Sequence, residues 1–258
     1  MLATEIEAAG AMKVKGVILC GGEGKRLRPL TYYFQKTMIP IGKKQKPLLE
    51  YIVKLLRYHG IVDIVLLVGY KYEQIVNYFE DGSRFGVKIN YVQDPKDLKG
   101  TGGALLNAFR TGVFDDVNDI VIYYGDILST ISLRDLLSFH RANNAEVTLA
   151  VATRYQIPVG VVELKDSEVK RVVEKPWLNI YVTTGILVAK TSVRRYLENI
   201  AKEKSNIDIM GDLIPKIILE NGKVIAYKYE GLWYDVGSTE RFEKLENEKI
   251  DYMFKDII

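Results

Sequence analysis

From Val14 onward, short β-branched runs alternate with segments of helical period, and this rhythm constrains the fold more than any other feature of the 258-residue chain. Val14 to Cys20, Ile61 to Val68, Val87 to Val92 and Ile120 to Tyr124 read as strands, while Pro47 to His59, Tyr72 to Asp81, Gly102 to Arg110 and Leu133 to Arg141 read as helices. Such alternation predicts a mainly parallel sheet covered by helices on both faces, a Rossmann-like α/β fold. The Pro47 segment shows the local logic. Proline opens its first turn, Leu48, Leu49, Ile52, Val53, Leu55 and Leu56 make one apolar face, and Gly60 ends it.

After Arg141 the rhythm changes. Glu146 to Thr153, Val159 to Leu164, Val169 to Glu174 and Tyr181 to Ala189 read as strands without helices between them, which predicts a smaller β-rich lobe of mixed or antiparallel pairing. Helices are expected near Thr191 to Glu203 and Asp208 to Glu220, a strand at Val224 to Tyr229 and a last helix from Ser238. No stretch rich in proline, glycine or serine divides the chain, so 12–250 is expected to form one domain of two lobes. Residues 1–11 read as an extension ahead of a second methionine, Met12, and 251–258 as a tail whose Tyr252, Met253 and Phe254 could serve a homo-oligomer contact.

Composition narrows the partners. A net charge of +3 from 36 basic and 33 acidic residues lacks the concentrated basic footprint of a nucleic-acid binder. The apolar runs fall well short of the roughly 20 residues that cross a bilayer, and no early segment has the pattern of a signal peptide, so no membrane association and a cytoplasmic location are expected. Cys20 is the sole cysteine and reads as a small packing residue; His59 and His140 lack metal-ligand spacing and read as structural.

Residues 17–31, VILCGGEGKRLRPLT, carry an apolar strand into three glycines and two arginines. A backbone without side chains in the way can aim N–H groups at phosphate, and arginines add fixed positive charge. The spacing is not that of an ATPase P-loop, because Lys25 is followed by Arg26 rather than Ser or Thr. A dinucleotide fingerprint would need a third glycine where Leu27 stands. A nucleoside triphosphate loop, a plain solvated glycine turn and, as the poorer match, a dinucleotide loop all remain open on this stretch alone.

The order of motifs narrows this further. GGEGKRLRPLT, QKTMIPIGKKQKPLLEYIV, GTGGAL, YYGDIL, VGVVEL, EKP and WYDVGS follow one another from about Val14 to about Phe242, and in this order they resemble the sugar-1-phosphate nucleotidylyltransferases. The resemblance implies transfer of a nucleotidyl group from a nucleoside triphosphate to a hexose-1-phosphate, giving an NDP-sugar and pyrophosphate. It implies nucleotide contacts from Leu19, Gly21, Gly22, Gly24, Gln93, Gly100 and Thr101, with Arg26 and Lys36 neutralising phosphate charge. One departure stands out: many members place proline before the signature lysine, and here the residue is Gln35. Asp126 and Asp235 are implied to share one Mg²⁺, a hard cation that takes one or two carboxylates. Without the resemblance both would read equally as turn residues leading into helices.

For the sugar half the resemblance points to Gly160, Glu174, Lys175 and Gly185: Glu174 accepting from ring hydroxyls and Lys175 gripping the sugar phosphate. The candidate for reading the base is Gln93, whose amide matches uracil or thymine, so UTP or dTTP is expected over GTP. The GTGGAL wording, by contrast, also resembles guanylyl-transferring members, among them mannose-1-phosphate guanylyltransferases. Two other readings compete, a cytidylyltransferase acting on a non-sugar phosphate and a non-catalytic nucleotide-sensing subunit. Longer relatives add a C-terminal parallel β-helix, but no hexapeptide pattern occurs here and no second activity is expected.

Overall fold

A computed structural model describes residues 13–257. Seven strands form one sheet in the order Val224–Tyr229, Val147–Ala152, Val182–Lys190, Asp119–Tyr124, Val14–Cys20, Asp63–Val68, Lys88–Gln93. Every neighbouring pair is parallel except those made by Val182–Lys190, which runs antiparallel to both of its neighbours. The architecture is therefore mixed α/β with a mostly parallel central sheet, as the alternating pattern predicts.

The side-chain period of two explains why both faces are covered. Ile18 and Cys20, Ile64 and Leu66, and Val121 and Tyr123 point into a core shared with the helices Leu48–Tyr58, Tyr72–Phe79 and Leu133–Ala142. Val17, Val65, Leu67, Ile120 and Ile122 point the other way, onto Gly100–Arg110, Arg194–Ala201 and the π-helical turn Ile209–Leu213 that runs into Ile214–Leu219. Burying one such aliphatic side chain is worth about 1.5–3 kcal/mol, so a charge at Val17 or Ile18 would undo the central strand on one face or the other. Cys20 is buried, and burial pushes its thiol far up, which makes it a packing residue. His140 is also fully buried, with Nδ1 2.8 Å from Thr148 Oγ1.

The helix-free stretch is divided between two places. Val147–Ala152 and Val182–Lys190 join the main sheet, whereas Val161–Lys165 and Glu168–Val173 pair only with each other in an exposed antiparallel hairpin. The 153–181 excursion contains no crossover helix, so the chain re-enters the sheet in the reverse direction.

The expected tail is also revised. Asn247–Met253 is a helix, Phe254 is 1% exposed with its ring edge-on to Tyr51 at 5.2 Å, and Asp251 accepts from the Lys43 N–H at 3.1 Å. Phe254 is thus spent on an internal core with Ile41, Leu48, Leu128, Val236 and Ile250, and of the three apolar side chains expected for a subunit contact only Tyr252 and Met253 stay exposed. The 1–11 extension lies outside the described residues.

Candidate active site

Ligands of open α/β sheets gather beyond the carboxyl ends of the strands, and that is where the two main cavities lie. The first, of about 410 Å³, is lined by Leu19, Gly21, Gly22, Lys36, Gly100, Thr101 and Asp126, all expected from the motifs, and by Gln35, Asp94 and Tyr124, to which no role was given. Gly24 holds φ +63°, and a Cβ there would come within 2.8 Å of Thr31 and 3.1 Å of Lys36, so the loop can close over the lysine only with glycine at this place. Gly125 answers a second close approach. Its missing Cβ would stand 2.6 Å from the Leu19 carbonyl, and the gap brings Asp126 beside the Lys36 turn, where the two side chains form an ion pair.

Thr101 is less available than expected. Its hydroxyl donates to Asp208 at 2.9 Å and accepts from the Ile209 N–H at 2.8 Å, while the Gly102 N–H donates to the Ile207 carbonyl at 2.8 Å. The start of this helix is therefore tied to the Ile207–Ile209 segment.

Gln93 does not line the cavity. Its side chain is exposed and its carbonyl accepts from Asn107 at 3.1 Å. Asp94 takes that place, with Oδ2 against Gly21 and Gly69, where a Cβ would come within 1.9 and 2.5 Å. Asp94 Oδ1 is buried with no partner among the described residues, and burial pushes the carboxyl up to about 6. Successive strand side chains face opposite ways, so the last strand residue and its successor trade places when the strand end is misjudged by one.

The second cavity, of about 460 Å³, is lined by Lys175 and Asp235 together with Arg154, Tyr155, Trp177, Trp233, Arg241 and Lys244. Lys175 adopts φ +47° and its carbonyl accepts from Gln156 at 3.0 Å. Glu174 and Gly160 face each other beside it, the Glu174 Oε2 standing 2.9 Å from where a Gly160 Cβ would be, but neither lines this cavity. Gly185, φ +77°, packs on Ile127 and Tyr124 and lines neither cavity.

Asp126 and Asp235 are held on adjoining backbones. Trp233–Asp235 pairs antiparallel with Ile127–Ser129, Asp235 opposite Ile127, and the Val236 N–H donates to the Asp126 carbonyl at 2.8 Å. Asp126 is paired with Lys36 and Asp235 with Arg241, which also donates to the Tyr155 hydroxyl at 2.9 Å. No group of three or more His, Cys, Asp or Glu side chains is arranged as a metal cage among the described residues. Asp235 Oδ1 is nevertheless buried with no hydrogen-bond partner among the described residues, a hard oxygen on a residue that lines the second cavity. Arg26 is exposed, lining neither cavity, but its Nη2 lies 3.2 Å from the place of a Gly237 Cβ and its carbonyl accepts from Thr239 at 3.1 Å. Sequence reasoning passed over Asp94 and Arg241; each sits within a few residues of a motif, but nothing in the spacing shows which way its side chain points.

The sequence model of the nucleotidyl transferase family matches residues 15–251. The chain belongs to that family. It is 33% identical over 241 residues to the UTP–glucose-1-phosphate uridylyltransferase of Synechocystis sp., a match covering 87% of this chain and 60% of that protein. It is 33% identical over 238 residues to the mannose-1-phosphate guanyltransferase of Pichia angusta, covering 89% and 62%. With the D-glycero-alpha-D-manno-heptose 1-phosphate guanylyltransferase of Aneurinibacillus thermoaerophilus it shares 32% over 243 residues, covering 93% of this chain and 100% of that one. The nucleotidyl transferase chain thus spans about three fifths of the first two relatives and all of the third. Two solved structures share the fold: HddC from Yersinia pseudotuberculosis, with TM-score 0.69, 21% identity and coverage of 92% and 99%, and a Bacillus anthracis chain provisionally assigned as a glucose-1-phosphate thymidylyltransferase, with TM-score 0.71, 22% identity and coverage of 95% and 96%. Among the described residues no helix is long and apolar enough to cross a membrane.

Proposed function

We propose that the protein is a Mg²⁺-dependent sugar-1-phosphate nucleotidylyltransferase that prefers GTP. The observation that carries the reaction class is the Lys36–Asp126 pair, set between the glycine loop and a second cavity lined by Lys175 and Asp235. In the reaction an oxygen of the sugar-1-phosphate bonds to the α-phosphorus of the triphosphate. The bond from that phosphorus to its β-bridging oxygen breaks, and pyrophosphate leaves with the electron pair. Two polyanions must meet in line, so the work is neutralisation and positioning.

Lys36 is placed to neutralise triphosphate oxygens once it parts from Asp126, and Arg26 approaches from the Gly237 side. Lys175 lines the second cavity beside Arg241 and Lys244, which are paired with Asp235 and Glu240, and is the cation we assign to the sugar phosphate. Trp177, Trp233 and Tyr155 offer it flat apolar faces on which a pyranose ring can rest. Asp126 and the unpartnered Asp235 Oδ1 would hold the divalent cation, which supplies charge stabilisation at the phosphates.

Base preference follows from Asp94 rather than Gln93. A carboxylate only accepts hydrogen bonds, and guanine presents two adjacent donors, N1–H and N2–H₂, on one edge. Uracil and thymine present one donor flanked by two acceptors, which a buried carboxylate repels. Reading the base from Asp94 in place of Gln93 favours GTP over the UTP or dTTP that Gln93 would have given; the relatives include both guanylyltransferases and a uridylyltransferase.

The test is pyrophosphate release from GTP, UTP, dTTP and CTP against several hexose-1-phosphates and phosphocholine, with and without Mg²⁺. Turnover with GTP and a sugar-1-phosphate is expected. Activity with UTP alone would overturn the reading of Asp94; activity with CTP and phosphocholine, or nucleotide binding without turnover, would overturn the reaction class.

A further inference from the structure

Gln35 occupies the place where many relatives carry proline before the signature lysine. It is fully buried, and its amide is engaged at both ends: Nε2 donates to the Cys20 carbonyl, and Oε1 accepts from the Thr37 N–H and the Thr37 hydroxyl, each at 2.6 Å. Its own N–H donates to Gln74 Oε1 at 2.7 Å. Cys20 ends the central strand and launches the glycine loop, while Gln35 caps the 3₁₀ turn Lys36–Met38 that carries the lysine. One side chain therefore bolts the phosphate loop to the lysine turn.

The backbone of Gln35 stands at φ −62°, ψ 140°. This is the φ that a proline ring imposes, near −65°, in the extended region proline allows. A network of buried hydrogen bonds here holds the angle that a ring holds by covalent constraint. Buried amide bonds of this kind are expensive to leave half-made, because each orphaned partner keeps its desolvation penalty.

On the proposed transfer reaction, we infer that Gln35 is the positioning residue for Lys36: its amide fixes the lysine turn against the Cys20 carbonyl so that Nζ meets the phosphates rather than sampling solvent. Gln35 touches no reacting atom in this scheme and acts only through Lys36.

The experiment compares Gln35→Met, which keeps the volume but loses the amide, with Gln35→Pro and Thr37→Val, each alone and on a Lys36→Ala background. Gln35→Met is expected to lower kcat at least tenfold with KM for the sugar-1-phosphate within twofold. Gln35→Pro, which keeps φ but loses both the amide and the N–H that donates to Gln74, should fall at least as far, and Thr37→Val should fall between Gln35→Met and the wild type. On the Lys36→Ala background Gln35→Met should cost nothing more. A full kcat in Gln35→Met or in Gln35→Pro, or an equal loss on both backgrounds, would overturn the inference. A second readout needs no turnover: acetylation of Lys36 by an amine-selective reagent, followed by mass spectrometry. Lys36 is 16% exposed beside Asp126, so labelling should be slow in the wild type and at least fivefold faster in Gln35→Met and Gln35→Pro. Unchanged labelling would overturn the inference, whereas a wild-type protein that turns over no substrate pair would overturn the transferase reading and leave the labelling result to judge Gln35.

Discussion

Lys36 and Asp126, 90 residues apart along the chain, form an ion pair at the wall of the first cavity, with 16% and 19% of their side chains exposed. Each partner also belongs to a different half of the proposed chemistry, the lysine to the triphosphate and the aspartate to the cation. Substrate and metal binding would trade one internal pair for two ligand contacts.

Removing either partner should therefore damage turnover more than folding. Lys36→Ala is expected to lower kcat by about 10²–10³, the usual loss when one charge-stabilising donor is removed. Asp126→Ala and Asp235→Ala are each expected to abolish turnover while the far-ultraviolet circular dichroism stays native. Steady-state rates across a Mg²⁺ titration check this, and near-normal rates at saturating Mg²⁺ would refute the metal assignment.

Lys175→Ala tests the sugar side. With its ammonium lining the second cavity and absent from the first, the variant should raise KM for the sugar-1-phosphate at least tenfold and leave KM for the triphosphate within twofold. Equal effects on both would mean that the two cavities do not divide the substrates.

Asp94→Asn tests base choice. An amide replaces one acceptor with a donor, so the ratio of kcat/KM for GTP over UTP should fall by about 10–200-fold, the equivalent of roughly 1–3 kcal/mol. In the wild type, KM for GTP should rise as pH drops through about 6, where Asp94 takes up its proton. A GTP preference independent of both the variant and pH would place the base elsewhere.

The same carboxyl makes a stability prediction of definite sign. Burial lifts Asp94 from its ordinary 3.8 to about 6, so the folded state binds its proton more readily than the unfolded chain. Its contribution therefore favours folding at low pH and is lost as pH rises from about 4 through 6. Asp94→Asn should melt above the wild type at pH 7.5, with the gap closing toward pH 4, as differential scanning fluorimetry would show.

Gly125→Ala probes the approach that brings Asp126 to Lys36. The new Cβ would stand 2.6 Å from the backbone carbonyl of Leu19, an atom that cannot swing aside. A loss of about 1–3 kcal/mol in unfolding free energy is expected, with a fall in kcat that Gly22→Ala, whose Cβ meets nothing within 4 Å, should not match in stability. Urea denaturation of both variants makes the comparison.

Much of the fold was legible along the chain because its signals are local. In Val14–Cys20, Asp63–Val68 and Asp119–Tyr124 both side-chain sets are apolar, and such a strand is stable only with packing on each face. The glycine loop and the Gly125–Asp126 turn were legible for the same reason, since a missing Cβ is a property of one residue. The motif order then placed the chain in its family, and residues 15–251 match it.

Sequence by itself thus determined the layered α/β class, the strand ends at which ligands gather and the residue types available there. Tertiary structure alone decided that Val182–Lys190 returns antiparallel, that Asp94 and not Gln93 lines the first cavity, that Arg241 holds Asp235, and that Phe254 is spent on Tyr51. Each of these depends on which way a side chain points at a strand end, or on a contact between segments tens to hundreds of residues apart. Local propensity carries no term for either, because their energy exists only once the sheet has closed.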